Sequence, residues 1–426
     1  MKPVNRRLLQ GIGALAAATL LLSGCARGEA VSSSSGGLAM APGFDGKKFS
    51  IGVLTITAGP MAPASAPSSA GIEAYIQALN AKGGIAGKYP VELVVRDHAY
   101  DPAKSAQSYQ AIKDQVAMFT WISGTPPVRA VLPSLTKDNI LAIGGTTEGS
   151  LTLEEQLIPS GTPTETLLLD GVEYLLREGG SSQKVCGAAV EGAITKTVES
   201  ISAYAKDKLG VTTGPVVSIG GQDANPTPAM QQLQREGCQI VMIQGIAVPF
   251  VSNVLSTAAK LGYEPKWVGV SSTWTKSLNS GPVYDYAHKN MTIVADDLLW
   301  GDTGHGNAEN EKAMMAAHDK YTPKEGTDQQ FSWGYNNAAI TEQILTKAVE
   351  TGDVSRAGLK KAEESLTKLN YPTQFDRPWG SGDKRGIPQE YSIFRPDSSG
   401  IGAVGILKYG ERSSDKVLAY QFVKSS

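Results

Sequence analysis

Cysteine is scarce in this chain: three in 426 residues, at Cys25, Cys186 and Cys238. So few exclude a disulfide-stapled scaffold and a multi-cysteine metal centre. Histidine is nearly as rare, and His98, His288, His305 and His318 lack metal-ligand spacing, so no metal site is expected. Neither a Gly-x-Ser-x-Gly elbow nor a Gly-x-x-x-x-Gly-Lys loop occurs, and no base accompanies Cys186 or Cys238. An enzyme or a cofactor carrier is therefore not expected. The paired acids Glu154-Glu155 and Asp296-Asp297 are expected to face solvent, as adjacent carboxylates usually do. Charge of either sign is not in excess: 39 basic and 41 acidic residues give a net charge of -2. Without a basic stripe there is no nucleic-acid partner to expect. Past residue 25 no apolar run nears the roughly 20 residues of a membrane span.

What is present begins at the N-terminus. Lys2, Arg6 and Arg7 precede a short apolar run, Leu8 to Leu22, closed by Leu22-Ser23-Gly24-Cys25. A basic start, a short greasy core and small residues read as a secretory signal rather than a span. Its ending resembles the lipobox of bacterial lipoproteins, which implies that Cys25 is lipidated and residues 1–25 are the signal peptide. Residues 26–46, with Ser32-Ser33-Ser34-Ser35-Gly36-Gly37, are too poor in apolar side chains to order themselves and read as a flexible tether.

From Lys48 onward strands and helices alternate. Strands are expected at Phe49–Leu54, Val91–Val95, Val116–Ile122 and Ile140–Ile143, with helices at Gly71–Asn80, Pro102–Gln115 and Val128–Lys137 between them. A Gly/Pro/Ser-rich loop is expected up to Ala70. A second series places helices at Thr166–Glu178, Thr195–Leu209, Pro228–Glu236 and before Leu261. Its strands fall at Val185–Val190, Val216–Ile219, Ile240–Ile243 and Trp267–Val270. Two such series predict an α/β protein of two lobes, each a doubly wound parallel sheet. Cys186 and Cys238 each open a predicted strand. If those strands are neighbours the pair is a candidate disulfide; the alternative is two buried thiols.

Several elements carry a resemblance. Thr57-Ala58-Gly59-Pro60, Gly71-Ile72-Glu73-Ala74, Asn80-Ala81-Lys82-Gly83-Gly84-Ile85-Ala86-Gly87 and Arg96 to Pro102 follow one another closely. Asp223 to Pro228 and Gln330-Phe331-Ser332-Trp333-Gly334-Tyr335 continue the series. Together they resemble the leucine/isoleucine/valine-binding family, the type I periplasmic solute-binding proteins of ABC importers. The resemblance implies a three-strand hinge, with an N-lobe of residues 47–165 plus 296–385 and a C-lobe of 166–295 plus 386–426. It implies a small-molecule ligand in the interlobe cleft, permease and ATPase partners, and membrane attachment through the lipid. A receptor of the same fold coupled to a membrane signalling protein is the alternative.

The family's carboxylate-gripping loops correspond to Ser123-Gly124-Thr125 and Gly144 to Glu148, which selects Thr125, Gly145 and Thr147. Glycine admits close backbone approach to an anion, and hydroxyls add donors. Ser271 stands where the resemblance expects a Glu to pair with a ligand ammonium. Either Glu191 substitutes, or the ligand is not an α-amino acid, the reading preferred on the cost of a buried unpaired ammonium. Trp121, Trp274 and Trp333, with Phe250, fall near predicted strand-end or hinge loops and offer faces for a planar or apolar ligand body.

Overall fold

The computed structural model describes residues 38–422 apart from 58–61, 181, 221–223, 298–299, 328 and 401–403. The signal peptide, Cys25, most of the tether, Ala58 to Pro60 and Asp223 lie outside the described residues.

The chain opens with β1 (Phe49–Thr55), α1 (Ala62–Asn80), β2 (Val91–Asp97), α2 (Pro102–Ile112), β3 (Phe119–Ser123), α3 (Thr125–Asp138), β4 (Ala142–Gly145) and β5 (Leu157–Pro159). These strands form one sheet in the order β2-β1-β3-β4-β5, every pair parallel. β1 and β3 are almost wholly buried, as sheets covered on both faces require. Asp101 caps α2 by accepting from the Ala103 and Lys104 amides, ahead of Pro102 at the first turn.

The second lobe runs α4 (Thr164–Gly179), β6 (Val185–Val190), α5 (Ala193–Tyr204), β7 (Thr213–Ile219), α6 (Thr227–Arg235), β8 (Ile240–Gln244), α7 (Ser252–Lys260), β9 (Lys266–Val270), α8 (Tyr284–Asn290) and β10 (Met291–Ala295). The chain then returns to the first lobe with α9 (Ala308–Tyr321), α10 (Gln329–Thr351), α11 (Arg356–Ser365), β11 (Lys368–Leu369) and β12 (Arg377–Pro378). It ends in the second lobe with β13 (Glu390–Pro396), β14 (Val404–Arg412) and α12 (Asp415–Leu418). The second sheet has the order β14-β13-β10-β9-β8-β6-β7. Its body is parallel, and β13 and β14 extend it as an antiparallel edge that the strand series did not include. The chain thus passes between the lobes three times: after β5, after β10 and after β12.

Three expectations change. The loop expected up to Ala70 is helical from Ala62, with Pro67 inside the helix. Tertiary packing overrides propensity here, because α1 crosses α10 at very short range. Gly71 and Gly334 permit that crossing; a Cβ on Gly71 would lie 2.1 Å from the Phe331 carbonyl oxygen, and one on Gly334 1.8 Å from that of Ser68. The expected tether ends before residue 46, since Phe44 is buried against Phe49 and Tyr89 with ring centroids at 4.5 and 5.2 Å. Asp296 and Asp297 are buried rather than solvent-facing, each 2% exposed, because they begin the second passage between lobes.

The cysteine alternatives resolve to a bond. Cys186 in β6 and Cys238 just ahead of β8 lie on neighbouring strands and form a disulfide, with Cα atoms 5.8 Å apart. It sits at the N-terminal ends of those strands, opposite the sheet edge that faces the cleft.

Candidate functional site

β9 ends at Val270, paired with Val294 of β10, so the next residues, Ser271 and Ala295, stand side by side at the sheet's C-terminal edge. A 3-10 turn over Ser271–Thr273 follows, fixed by the Thr273 hydroxyl donating to the Val270 carbonyl at 2.5 Å. That turn aims Trp274 along the edge. Its indole N–H donates to Asn279 Oδ1 at 2.8 Å, which locks the ring plane. Across from this rim stands the first turn of α10, carrying Gln329 and Gln330, and Trp300 of the passage after β10. The Trp300 ring meets Phe331 edge-on at 5.2 Å.

These groups enclose a cavity of about 60 Å³, lined by Ser271, Ser272, Trp274, Thr275, Lys276, Gln329, Gln330 and Trp300 over a floor of Ile293, Ala295, Phe394 and Val404. Both lobes contribute to its wall. Among the described residues that line it, Lys276 alone carries a charge; no carboxylate does. Ser271 is 6% exposed, so a charge brought against it would be largely desolvated. Indoles and aliphatic side chains give the remainder an apolar face, with hydroxyls and amides at the edge.

The first-lobe set forms a separate cluster. Thr125 opens α3, and its hydroxyl lies 2.6 Å from that of Thr146. The Thr147 hydroxyl lies 2.8 Å from that of Thr164, whose amide donates to the Thr147 carbonyl. Gly145 has no side chain because the Trp121 indole occupies the space; a Cβ there would stand 2.7 Å from Cζ2. Arg129 donates to the Glu148 carboxylate and to the Ser150 hydroxyl, which braces the loop from below. A further hydroxyl group, Thr55, Ser65, Ser69 and Ser123, joins the ends of β1 and β3 to the start of α1 through contacts of 2.7 to 3.2 Å.

Of the side chains selected from sequence, only Ser271 and Trp274 line the cavity. Thr125, Gly145 and Thr147 lie together at the ends of β3 and β4 without reaching it. Trp121 and Trp333 are packed into the first-lobe core, at 3% and 7% exposure, and Phe250 fills the space beside Gly245. Trp333 belongs to a stretch of α10 buried on all sides, from Phe331 to Thr341, because the helix is held between α1 and the sheet. Glu191 is exposed at the end of β6, and β6 lies two strands from β9. At ordinary strand spacing the two strand ends are about 10 Å apart, and Glu191 does not line this cavity. Lys276, Trp300 and Gln329 were not selected. Their meeting depends on contacts between residues roughly 25 to 50 apart in sequence, which no local pattern announces.

Comparison with known proteins agrees with this geometry. The family described as periplasmic binding protein matches residues 48–400. No curated protein matches the sequence. Among solved structures, a fatty acid ABC transporter substrate-binding protein from Thermomonospora curvata is 22% identical, with a TM-score of 0.82 over 91% of this chain and 97% of that one. A branched-chain amino acid ABC transporter protein from Thermus thermophilus, with bound valine, is 16% identical, with a TM-score of 0.73 over 87% and 98%. A solute-binding protein from R. palustris in complex with 4-hydroxybenzoate is 17% identical, with a TM-score of 0.72 over 87% and 99%.

Proposed function

The chain belongs to the periplasmic binding protein family, and on that premise we propose that it captures a small carboxylate with an apolar or aromatic body between its lobes and delivers it to an ABC importer. One observation carries the ligand class: among the described residues, the interlobe cavity presents the cation Lys276, two indoles and no acid. A zwitterionic amino acid would bring an ammonium into this cavity with no described carboxylate lining it to neutralise the charge. That costs several kcal/mol even after relaxation. A monocarboxylate instead gains Lys276 and the Ser271 and Ser272 hydroxyls, while its body lies on Trp274 and Trp300. The same fold holds a fatty acid binder and a 4-hydroxybenzoate complex among the solved relatives, which agrees with such a ligand.

Closure follows from differential contact. A ligand shifts an open form to a closed one only if it binds the closed form better. Ser271 to Lys276 belong to one lobe and Gln329 and Gln330 to the other, so one molecule reaching both draws them together. Thr125, Gly145, Thr147 and their hydroxyl partners are the donors that the first lobe brings to the ligand as the lobes close. The protein acts as a binder rather than an enzyme. Permease and ATPase subunits are its partners, and lipid on Cys25 holds it at the outer face of the membrane. At about 0.8 kcal/mol per buried methylene, two or more chains make that anchor durable. No helix among the described residues is long and apolar enough to cross a membrane.

Trp274 and Trp300 supply the readout. Titrating the mature protein with 4-hydroxybenzoate and with hexanoate should give a saturable change in tryptophan fluorescence. Silence toward both, with a response to leucine or valine, would reject the ligand class.

A further inference from the structure

A second cavity, of about 390 Å³, lies at the hinge and apart from the one described above. Its wall is built from every part of the junction. Asp296 and Asp297 come from the passage after β10, Asn307 and Asn310 from the start of α9, and Asn370 to Asp376 from the segment between β11 and β12. Glu390 of β13 and Tyr409 of β14 come from the second lobe. The passage after β10 pairs with the segment between β11 and β12: Asp297 bridges Gln374, and the Phe375 amide donates to the Asp296 carbonyl at 3.0 Å. Phe375 and Tyr409 meet with ring centroids 5.5 Å apart, one from each side of the junction.

Among the described residues, four carboxylates line this space and no cation does. Two are compensated. Asp376 pairs with Lys368 at 2.6 Å. Asp296 accepts from the Thr162 amide and feels the buried guanidinium of Arg377, which donates to the Pro159 and Gly161 carbonyls at 2.8 and 2.7 Å. Glu390 makes no ion pair among the described residues. Asp297 accepts from Gln329 through Oδ1 at 2.5 Å, but its Oδ2, on a residue 2% exposed, has no partner among the described residues. Gln374 Nε2 likewise lacks an acceptor.

We propose that this hinge cavity is a second binding site, taking a small organic ammonium ion that engages Asp297 Oδ2 and Glu390. The space has the volume of roughly a dozen water molecules, at about 30 Å³ each, and so suits an organic ion. Among the described residues no three His, Cys, Asp or Glu side chains converge as a metal would need. Phe375 and Tyr409 offer ring faces to a cation. A hydroxyl on the ion would accept from Gln374 Nε2. Burial and the neighbouring Asp296 push the Asp297 carboxyl well above its usual range, and a bound cation supplies the counter-charge it lacks. Because the wall joins both lobes and the passage after β10, occupancy bears on the angle between the lobes. The Asp297–Gln329 bond links this site to the cleft, since Gln329 lines the latter.

The probe is ethanolammonium chloride, titrated calorimetrically into the mature protein, with sodium chloride at equal ionic strength as the control. A saturable heat with ethanolammonium and none with sodium is expected. Asp297→Asn should weaken it at least tenfold. Glu390→Gln, at an exposed position, should weaken it severalfold while leaving carboxylate binding in the cleft unchanged. Equal responses to both salts, no saturable heat at millimolar concentration, or full affinity in both variants would overturn the proposal. Carboxylate titrations run in parallel keep this outcome separate from that of the cleft.

Discussion

Ser271→Glu should exchange one ligand class for another. Ser271 is 6% exposed, and the only charge lining its cavity among the described residues is Lys276. A glutamate placed there sets a second negative charge beside the ligand carboxylate. At about 5 Å and an effective dielectric near 20, the repulsion is on the order of 3 kcal/mol, roughly a hundredfold in affinity. The same carboxylate would also compete for Lys276, which works in the same direction. For an amino acid the sign reverses, because the buried ammonium acquires the counter-charge whose absence costs several kcal/mol. Calorimetric titration of wild type and variant with 4-methylpentanoate and leucine reads both changes. The variant should lose affinity for the acid by about two orders of magnitude and gain measurable binding of leucine. Unchanged preference in a folded Ser271→Glu protein would refute the charge argument.

Three further outcomes follow from the same structure. Replacing Cys186 and Cys238 with Ala removes a link across a sequence separation of 52 residues, which a chain-entropy model values at about 4 kcal/mol. Calorimetry should show a melting point lower by on the order of 10 °C, and no change would deny the bond a stabilising role. Thr147→Ala strips the Thr164 hydroxyl of its partner and should weaken carboxylate binding by roughly 1–3 kcal/mol; equal affinity would remove Thr147 from the site. Glu165, 6% exposed, is pushed by burial up to about 7 from 4.5. Its folded form therefore holds a proton that the unfolded chain releases, so stability is full below about pH 4.5 and falls as pH rises through 7, by about 3 kcal/mol. Glu165→Gln should flatten denaturation midpoints across that window, and a slope equal to wild type would show that Glu165 does not titrate there.

Much of the fold is legible because it rests on short-range pattern. The buried run Phe49 to Leu54, the Asp101–Pro102 helix start and the alternation to Val270 each announce themselves within about ten residues. The helical start of α1 does not: Pro67 and three serines read as loop, and only contact with α10 makes them helix. Asn80 is instructive in another way. The helix does end there, and its side-chain amide clamps β2 through two 2.8 Å bonds to Val91. The site was half visible. Ser271 was selected by the family resemblance and Trp274 as an aromatic in a polar loop at a strand end, and both line the cavity. Lys276 and Gln329 were not selected, since nothing local reports that they share a cavity. Trp333 misled for the opposite reason: a tryptophan opening a long helix suits a hinge as well as a core.

The most direct test of the central claim is a pair of titrations of the wild-type protein with leucine and 4-methylpentanoate, which differ by the ammonium group alone. The acid is expected to bind at least a hundredfold more tightly, matching the several kcal/mol of an unpaired buried ammonium. Tighter binding of leucine would contradict the account.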